Sequence, residues 1–268
     1  MASDISLRRR TPRWLRLVLM GSLFGLFFLG SPAMALLVFP TLRLASRTIE
    51  QYRARCTTLL FHGTRFILRA ARFVSVVDYE FPPLPASIDR SKPYVMISNH
   101  PTFIDMILIM GSFAELTCVT QGSWSKHWAL GRLLRSTNYL PGPGSGLPES
   151  EHMLDSMIAH LRAGFPLLVF PEGHRSLPEG FRRFRRGAVE AAVGANVPMV
   201  LLYASIDQPY LTSSVSIWRP PKIAPKYSFE WLDVVEPAAF DRDARRIHDH
   251  VVARYDERLA ADPSAASS

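Results

Sequence analysis

An uncharged apolar stretch from Leu17 to Leu42 restricts more than any other feature how this chain can fold. About 20 consecutive apolar residues are enough for a helix to cross the hydrocarbon core of a bilayer. Gly30-Ser31-Pro32 interrupts the stretch and leaves two shorter apolar halves, 17–29 and 33–39. A single kinked span and a shallow re-entrant hairpin therefore both fit the pattern. We predict that residues 1–75 form a membrane-associated region with a hydrophobic helical anchor.

Arginines flank this stretch on both sides, at positions 8, 9, 10, 13 and 16 before it and at 43, 47, 53 and 55 after it. The basic start, the apolar core and Ala33-Met34-Ala35 also satisfy the template of a secretory signal. Positive charge on both flanks favours keeping both ends in the cytoplasm. We therefore predict a bacterial-type inner-membrane protein on the cytoplasmic face. The alternative is an exported protein, if residues 1–35 are a cleaved signal.

The formal net charge of +8 indicates an anionic partner. An anionic membrane surface, an acidic carrier protein and nucleic acid would all satisfy this charge. The chain has no zinc-ligand spacing, no P-loop and no RNP-like aromatic pattern, so we predict no nucleic-acid partner. Residues 41–75 interleave arginines with apolar side chains. Such a segment suits an anionic bilayer, or a helix packed on the domain with a solvated basic face.

Beyond residue 75, short apolar runs alternate with amphipathic stretches, which predicts an α/β domain. We expect a mixed sheet flanked by helices over residues 76–240, followed by a C-terminal helix and a disordered tail over 241–268. The expected strands include 94–98, 116–120, 167–170 and 198–203, with further strand-like pieces near 214–218 and 227–232.

The first chemical motif is Ser98-Asn99-His100-Pro101-Thr102-Phe103-Ile104-Asp105, directly after a predicted strand. Pro101 suits the first position of a helix, which would place His100 beside the N-cap and Asp105 at the end of the first turn. At such a corner the imidazole can turn back and meet the carboxylate, as a general base meets its orienting group. No Ser or Cys nucleophile stands beside the pair, so the activated hydroxyl would belong to a substrate. A structural pair is the alternative.

The second motif is Phe170-Pro171-Glu172-Gly173-His174-Arg175-Ser176, after another predicted strand. Gly173 allows a turn with positive φ or a close approach of the backbone to a ligand. Arg175 can hold a phosphate through two parallel hydrogen bonds, or else pair with Glu172.

Together these two blocks resemble the glycerolipid (1-acyl-sn-glycerol-3-phosphate / lysophospholipid) acyltransferase family, whose members carry His-x-x-x-x-Asp and, downstream, Phe-Pro-Glu-Gly-Thr-Arg-Ser. Phe184-Arg185-Arg186-Gly187-Ala188 is similar to the family's basic-basic-Gly block, and Val197-Pro198-Met199-Val200 is similar to its fourth motif. The resemblance spans roughly residues 75–220 in the same order, with His174 where the family usually has Thr.

This resemblance implies a membrane-associated acyltransferase of phospholipid biosynthesis. It would move a fatty acyl group from an acyl-CoA or acyl-carrier-protein thioester to the hydroxyl of a lysolipid acceptor. His100 would be the general base and Asp105 its orienting group, whereas Glu172, Gly173 and Arg175 would bind the acceptor. The resemblance implies no metal and no cofactor beyond the thioester co-substrate.

One departure from the family concerns the acceptor. Members that acylate lysophosphatidate typically carry an apolar run ending in Arg between the two blocks, whereas residues 136–143 here contain no Arg. Arg132 and Arg135 lie just upstream, out of register. A specialised non-phosphatidate lipid acceptor therefore remains an alternative, as does a non-catalytic lipid-binding scaffold of the same fold. A secreted esterase is a third, although the chain lacks a Gly-x-Ser-x-Gly elbow.

Overall fold

The computed structural model describes residues 12–120, 128–142, 147–177, 180–216 and 218–261. The basic start at Arg8, Arg9 and Arg10 and the end of the tail predicted to be disordered, 262–268, lie outside these residues. The helices are α1 (Arg13–Ala33), α2 (Phe39–Leu44), α3 (Ile49–Phe73), α4 (Asp105–Met110), α5 (Trp128–Arg135), α6 (Leu147–Arg162), α7 (Gly187–Ala195) and α8 (Ala244–Ala260), with a π-helical segment at Met34–Val38 and a 3-10 helix at Pro237–Phe240.

A seven-stranded sheet forms the centre of the molecule. Its strands are β1 (Asp78–Glu80), β2 (Val95–Ser98), β3 (Thr117–Thr120), β4 (Leu140–Pro141), β5 (Leu167–Val169), β6 (Met199–Ile206) and β7 (Lys226–Val235), in the spatial order β1-β7-β6-β2-β5-β3-β4. β7 runs antiparallel to β6, and β1 is parallel to β7, so the sheet is mixed. This confirms the predicted α/β fold.

Strand β2 is central and buried on both faces, as its apolar sequence requires. Alternate side chains enter two separate core clusters, with Met96 in one and Val95 and Ile97 in the other. The parallel strands β2 and β5 are hydrogen-bonded neighbours. Their carboxyl ends therefore meet at one edge of the sheet, where ligand sites of open α/β sheets occur.

The prediction of a strand near 214–218 is wrong for the residues that the structure describes there. A loop of residues 207–216 and 218–225 follows β6 and leads into β7. Pro209, Pro220 and Pro221 have no N–H group to donate to a strand ladder. Leu211 has a φ of 57°, which turns the backbone away from an extended path.

The N-terminal stretch is one continuous helical segment from Arg13 to Leu44 rather than a hairpin. Pro32 is accommodated without a break, and the π-helical segment follows directly. Within the described residues, this segment alone is long and apolar enough to cross a membrane, by length and composition. A signal sequence would meet the same criterion.

One side of this segment packs on the domain along its whole length. The residues on that side recur every three or four positions and are buried or half-buried: Arg16, Met20, Phe24, Phe27, Ser31, Ala35 and Phe39. The opposite side exposes large apolar side chains, among them Trp14, Val18, Leu29, Leu37 and Leu44. The segment therefore has a protein-facing side and an unpartnered apolar side.

Helix α8 is joined to the sheet rather than appended to it. Asp243 caps its first turn by accepting from the N–H groups of Arg245 and Arg246. The buried Tyr255 hydroxyl lies within hydrogen-bond distance of the carbonyls of Ile97 and Leu202, at 2.8 and 3.0 Å. These contacts fix the helix across β2 and β6, beneath the edge that carries the motifs.

Candidate active site

His100 and Asp105 meet at the carboxyl end of β2. The His100 Nδ1 atom lies 3.2 Å from Asp105 Oδ2. The carboxylate is fully buried, whereas 19% of the His100 side chain is exposed. Because the Asp105 carboxylate can only accept, the tautomer that fits this contact carries its proton on Nδ1 and leaves Nε2 as the acceptor. The predicted base-and-orienter pair is therefore present in space.

The corner that forms this pair differs from the predicted one. Helix α4 begins at Asp105, after a turn through residues 101–104, and not at Pro101. The Asp105 carboxylate accepts from the Thr102 N–H at 2.6 Å and from the Thr102 hydroxyl at 2.5 Å. These two hydrogen bonds from Thr102 to the Asp105 side chain compete with helical hydrogen bonding, so the helix begins one turn later than predicted. Thr102 thereby fixes the carboxylate that faces His100.

The second motif supports the His100 backbone from the neighbouring strand. The Glu172 carboxylate is buried and accepts from the His100 N–H at 3.1 Å, the Ser176 hydroxyl at 2.6 Å and the Arg182 N–H at 2.9 Å. Ser176 N–H in turn donates to the His100 carbonyl at 2.8 Å. Glu172 therefore lies behind His100, with both carboxylate oxygens occupied.

The His100 ring is also held from its face. It stacks on Phe170, with ring centroids 4.3 Å apart and planes 24° from parallel. Asn99, the residue before His100, is anchored to β6. Its side-chain amide exchanges two hydrogen bonds with the backbone of Ala204, at 2.7 and 2.8 Å. The residue after β5 therefore holds the His100 ring, and β6 holds the residue before His100.

Gly173 has a φ of 70°, so the left-handed turn predicted for it is present. A Cβ atom at this position would lie 3.3 Å from Cζ of Arg185, which belongs to the predicted basic-basic-Gly block. His174, beside it, is exposed. The backbone at Gly173 and His174 is therefore exposed at the surface, next to the guanidinium of Arg185.

Arg175 reaches away from Glu172, so the alternative ion pair between them is absent. Its Nη1 donates to the Leu211 carbonyl at 3.2 Å and to the Thr212 carbonyl at 2.6 Å. The same Leu211 carbonyl accepts from the Phe103 N–H at 2.9 Å. Arg175 therefore ties the loop after β6 to both motifs while remaining half-exposed.

A buried tyrosine completes the surroundings of Asp105. The Tyr227 hydroxyl lies near Thr102 and Asp105 in the interior, at the start of β7. Burial, reinforced by the Asp105 charge, raises the pKa of Tyr227 well above its usual value. Tyr227 is therefore a neutral hydroxyl near neutral pH.

This geometry can perform general-base catalysis on a substrate hydroxyl. The imidazole is partly exposed, its Nδ1 atom is oriented by a buried carboxylate, and the backbone behind the ring is held by Glu172.

Comparison with known proteins shows what this chain is similar to. Residues 83–205 match the Acyltransferase family model and include both motifs. The chain is 26% identical over 212 residues to 1-acyl-sn-glycerol-3-phosphate acyltransferase alpha of Mus musculus, covering 74% of this chain and 69% of that protein. It is 29% identical over 180 residues to 1-acyl-sn-glycerol-3-phosphate acyltransferase of Pseudomonas aeruginosa, covering 65% and 67%.

The matched segment and these relatives support a relationship between this chain and the glycerolipid acyltransferases. The alignments with four mammalian relatives span 59–69% of those proteins. The fold matches that of the 1-acyl-sn-glycerophosphate acyltransferase PlsC from Thermotoga maritima, with a TM-score of 0.62 and 17% identity over 93% of this chain and 97% of that one.

An apolar-sided groove of about 430 Å³ opens at the acyltransferase site. Phe103 and Arg175 of the two motifs line it, together with Phe24 and Phe28 of α1 and residues 211–216 of the loop. Phe103 contacts both α1 rings, with centroids 5.8 and 6.3 Å apart. The N-terminal helix therefore forms one wall of the acyltransferase groove.

Sequence reasoning missed several residues of this acyltransferase site: Thr102, Phe170, Ser176, Arg182, Leu211 and Tyr227. Thr102 lies inside the first motif, and a hydroxyl three residues before an aspartate is a local signal that could have been used. The others meet the site through strand order or loop folding, which leave no pattern in the local sequence.

Proposed function

We propose that this acyltransferase moves a fatty acyl group from a thioester donor to the hydroxyl of a lysophospholipid on the cytoplasmic face of a membrane. The observation that carries the proposal is the His100–Asp105 pair, together with a groove that Phe103 and Arg175 of the same two motifs line. Acyl-CoA and acyl carrier protein both supply a thioester, and a thiol leaves readily without a covalent enzyme intermediate.

The steps follow from the atoms in place. His100 Nε2 removes the proton from the acceptor hydroxyl as its oxygen attacks the thioester carbonyl. The tetrahedral intermediate collapses, the C–S bond breaks, and the imidazolium returns the proton to the leaving thiolate. Asp105 stabilises the imidazolium while it exists. No metal and no bound cofactor enters these steps.

The acyl chain requires an apolar site. A narrow apolar slot of about 50 Å³ lies between α1, α3, α4 and α5, lined by Leu60, Met106, Leu134 and Tyr139 among others. Phe28 lines both this slot and the groove, so the two are neighbours across one side chain. We assign the slot to an acyl chain and the groove to the polar end of the acceptor.

Membrane association is proposed from the unpartnered side of the N-terminal segment. A helix that packs on the domain from Arg16 to Phe39 lies along the protein, so its other side is suited to one leaflet rather than to a full crossing. We therefore propose an interfacial attachment with the groove opening at the lipid surface. Acceptor lipids would reach Phe103 and Arg175 without leaving the bilayer.

Retention of the N-terminus tests the cytoplasmic assignment. The purified native chain should begin at Met1 or Ala2 and fractionate with the inner membrane, because Arg16, Ser31 and Phe39 are part of the packed structure. N-terminal sequencing after membrane fractionation is the measurement. A mature chain that begins at Leu36 would establish cleavage and contradict the assignment.

The acceptor is tested by thiol release from acyl-CoA. The proposed acceptors are lysophosphatidate and lysophosphatidylethanolamine, with monoacylglycerol as the phosphate-free comparison. We expect Arg175→Ala to lower kcat/KM for lysophosphatidate about tenfold more than for monoacylglycerol, because a charged hydrogen bond to phosphate is worth about 1.5–3 kcal/mol. Loss of the Arg175 bonds to the loop affects both acceptors equally, so their ratio isolates the phosphate contact.

Two outcomes would contradict these assignments. An unchanged ratio in Arg175→Ala would remove Arg175 from phosphate binding. No thiol release with any of the three acceptors, from either acyl-CoA or an acyl-carrier-protein thioester, would refute the proposed reaction. Because the Arg expected between the motifs is missing, we also expect weak use of lysophosphatidate relative to a less phosphate-dependent acceptor.

A further inference from the structure

A second cavity of about 720 Å³ lies outside the catalytic groove. Helix α3, strand β1, the start of β7 and the end of α4 enclose it. It shares no lining residue with the groove or with the apolar slot. The proposed reaction therefore leaves this cavity without a role.

The cavity is lined by more cations than carboxylates. Arg65, Arg69, Arg72 and Lys226 face two acids, Asp78 and Glu80. Arg72 pairs with Asp78 at 3.4 Å, and Lys226 pairs with Glu80 at 3.2 Å. In the part of the chain that the structure describes, no carboxylate lies within 4 Å of Arg65 or Arg69. Two guanidinium groups therefore border a concave space with their charge uncompensated.

Aromatic side chains position two of these arginines. The Arg65 guanidinium lies over the Phe61 ring at 5.7 Å, and the Arg72 guanidinium lies over the Tyr79 ring at 5.6 Å. Stacking uses the flat face of a guanidinium and leaves the N–H donors at its edge available. Donors held in this way are suited to a tetrahedral oxyanion with several acceptor oxygens.

A merely solvated basic face would not explain the neighbouring side chains. Phe66 and Phe73, on the same helix as the arginines, are 65% and 88% exposed. Two exposed phenylalanines beside a basic cavity are typical of a surface that meets phosphate groups at the edge of a bilayer.

We propose that this cavity binds a phosphate-bearing anion through Arg65 and Arg69. Two sources carry that chemistry: the headgroup of an anionic phospholipid in the membrane, and the phosphates of a nucleotide-containing thioester donor. The second source rests on the proposed function, whereas the first does not.

Isothermal titration of the full chain in neutral detergent tests the proposal and separates the two sources. Dihexanoylphosphatidylglycerol is the lipid probe and adenosine 3′,5′-bisphosphate is the nucleotide probe. We expect the double variant R65Q/R69Q to bind at least one probe about tenfold or more weakly than the native chain, because two charge-assisted contacts are lost. The charge-matched control is K92Q/R245Q, whose two exposed side chains lie outside the cavity.

Each outcome decides a point. A loss confined to the lipid probe identifies the headgroup, and a loss confined to the bisphosphate identifies the donor. The proposal is overturned if the native chain binds neither probe, if R65Q/R69Q binds as tightly as the native chain, or if the control loses as much. His100→Ala should bind both probes normally, so a failure of the proposed reaction does not appear as a failure of this site.

Discussion

Replacing His100 by alanine is expected to lower acyl transfer by about 10²- to 10⁴-fold, the usual contribution of a positioned general base. The loss should appear in kcat, because the imidazole is needed in the transition state and the groove residues that bind the lipid remain. Thiol release from acyl-CoA with a lysophospholipid acceptor measures it. Membrane binding and the thermal midpoint should change little, since the side chain is partly exposed and contributes little packing.

His174→Ala is the matched control for this substitution. His174 lies in the second motif but is exposed, and no described residue forms a hydrogen bond or ion pair with it. Its loss should leave turnover within about twofold. Near-normal turnover in His100→Ala would refute the proposed mechanism, and equal loss in both variants would point to a general effect on the motif surface.

Asp105→Asn should reduce turnover with a different signature. An amide in this place can present its NH₂ group to Nδ1 and so favour the wrong imidazole tautomer. In that orientation the same NH₂ group also faces the Thr102 N–H, because both groups contact Oδ2 of Asp105 in the native protein, at 3.2 and 2.6 Å. Asp105→Asn is therefore expected to lose both activity and thermal stability, whereas His100→Ala loses activity alone.

The first motif was predictable because its chemistry is local. His100, Asp105 and the strand before them lie within a dozen residues, and the apolar run at 94–98 fixes where the strand ends. The helix start was not predictable from Pro101, because Thr102 offers the Asp105 carboxylate two hydrogen bonds and a turn forms instead. A side-chain interaction overrode the propensity of the backbone.

The link between the two motifs depends on strand order, which no local pattern contains. Glu172 reaches the His100 N–H only because β5 is the hydrogen-bonded neighbour of β2. Similarly, the residue types near Arg175 predict a phosphate clamp, whereas its bonds to Leu211 and Thr212 depend on how a loop 36 residues away folds back. The residue types were therefore predictable from the motifs, whereas the contacts between the motifs depend on the order of strands in the sheet.

The path of the N-terminal segment was also not predictable from local sequence. Composition predicted an apolar anchor, and Gly30-Ser31-Pro32 left a hairpin open. The continuous helix follows from packing, because Ser31, Ala35 and Phe39 are all buried against the domain and hold the chain straight through Pro32. A small hydroxyl side chain also helps at this point, since Ser31 donates to the Phe27 carbonyl at 2.6 Å.

Glu172→Gln is expected to lower both stability and kcat. Its Oε1 accepts from the His100 N–H and the Ser176 hydroxyl, and its Oε2 accepts from the Arg182 N–H. Glutamine has one oxygen, so in either amide orientation an NH₂ group faces at least one backbone donor. Leaving a buried donor without an acceptor costs about 1–3 kcal/mol. In one orientation the unpaired donor is the His100 N–H, and in the other it is the Arg182 N–H. Because the same side chain bonds both backbones in the native protein, either displacement is expected to shift the imidazole against its substrate.

A shift of that kind is expected to reduce kcat by about 10- to 100-fold, because small misplacements of a catalytic group are costly. KM and the pH dependence of kcat/KM should remain close to native, since His100 is still the base and Glu172 lies behind it. Glu115→Gln is the matched control, because it removes a carboxylate that pairs with Arg90 through two hydrogen bonds of 2.8 and 2.9 Å far from the groove. It should lower the thermal midpoint while leaving kcat unchanged. A Glu172→Gln enzyme with native kcat, or with a raised KM and unaltered kcat, would show that Glu172 does not position the base.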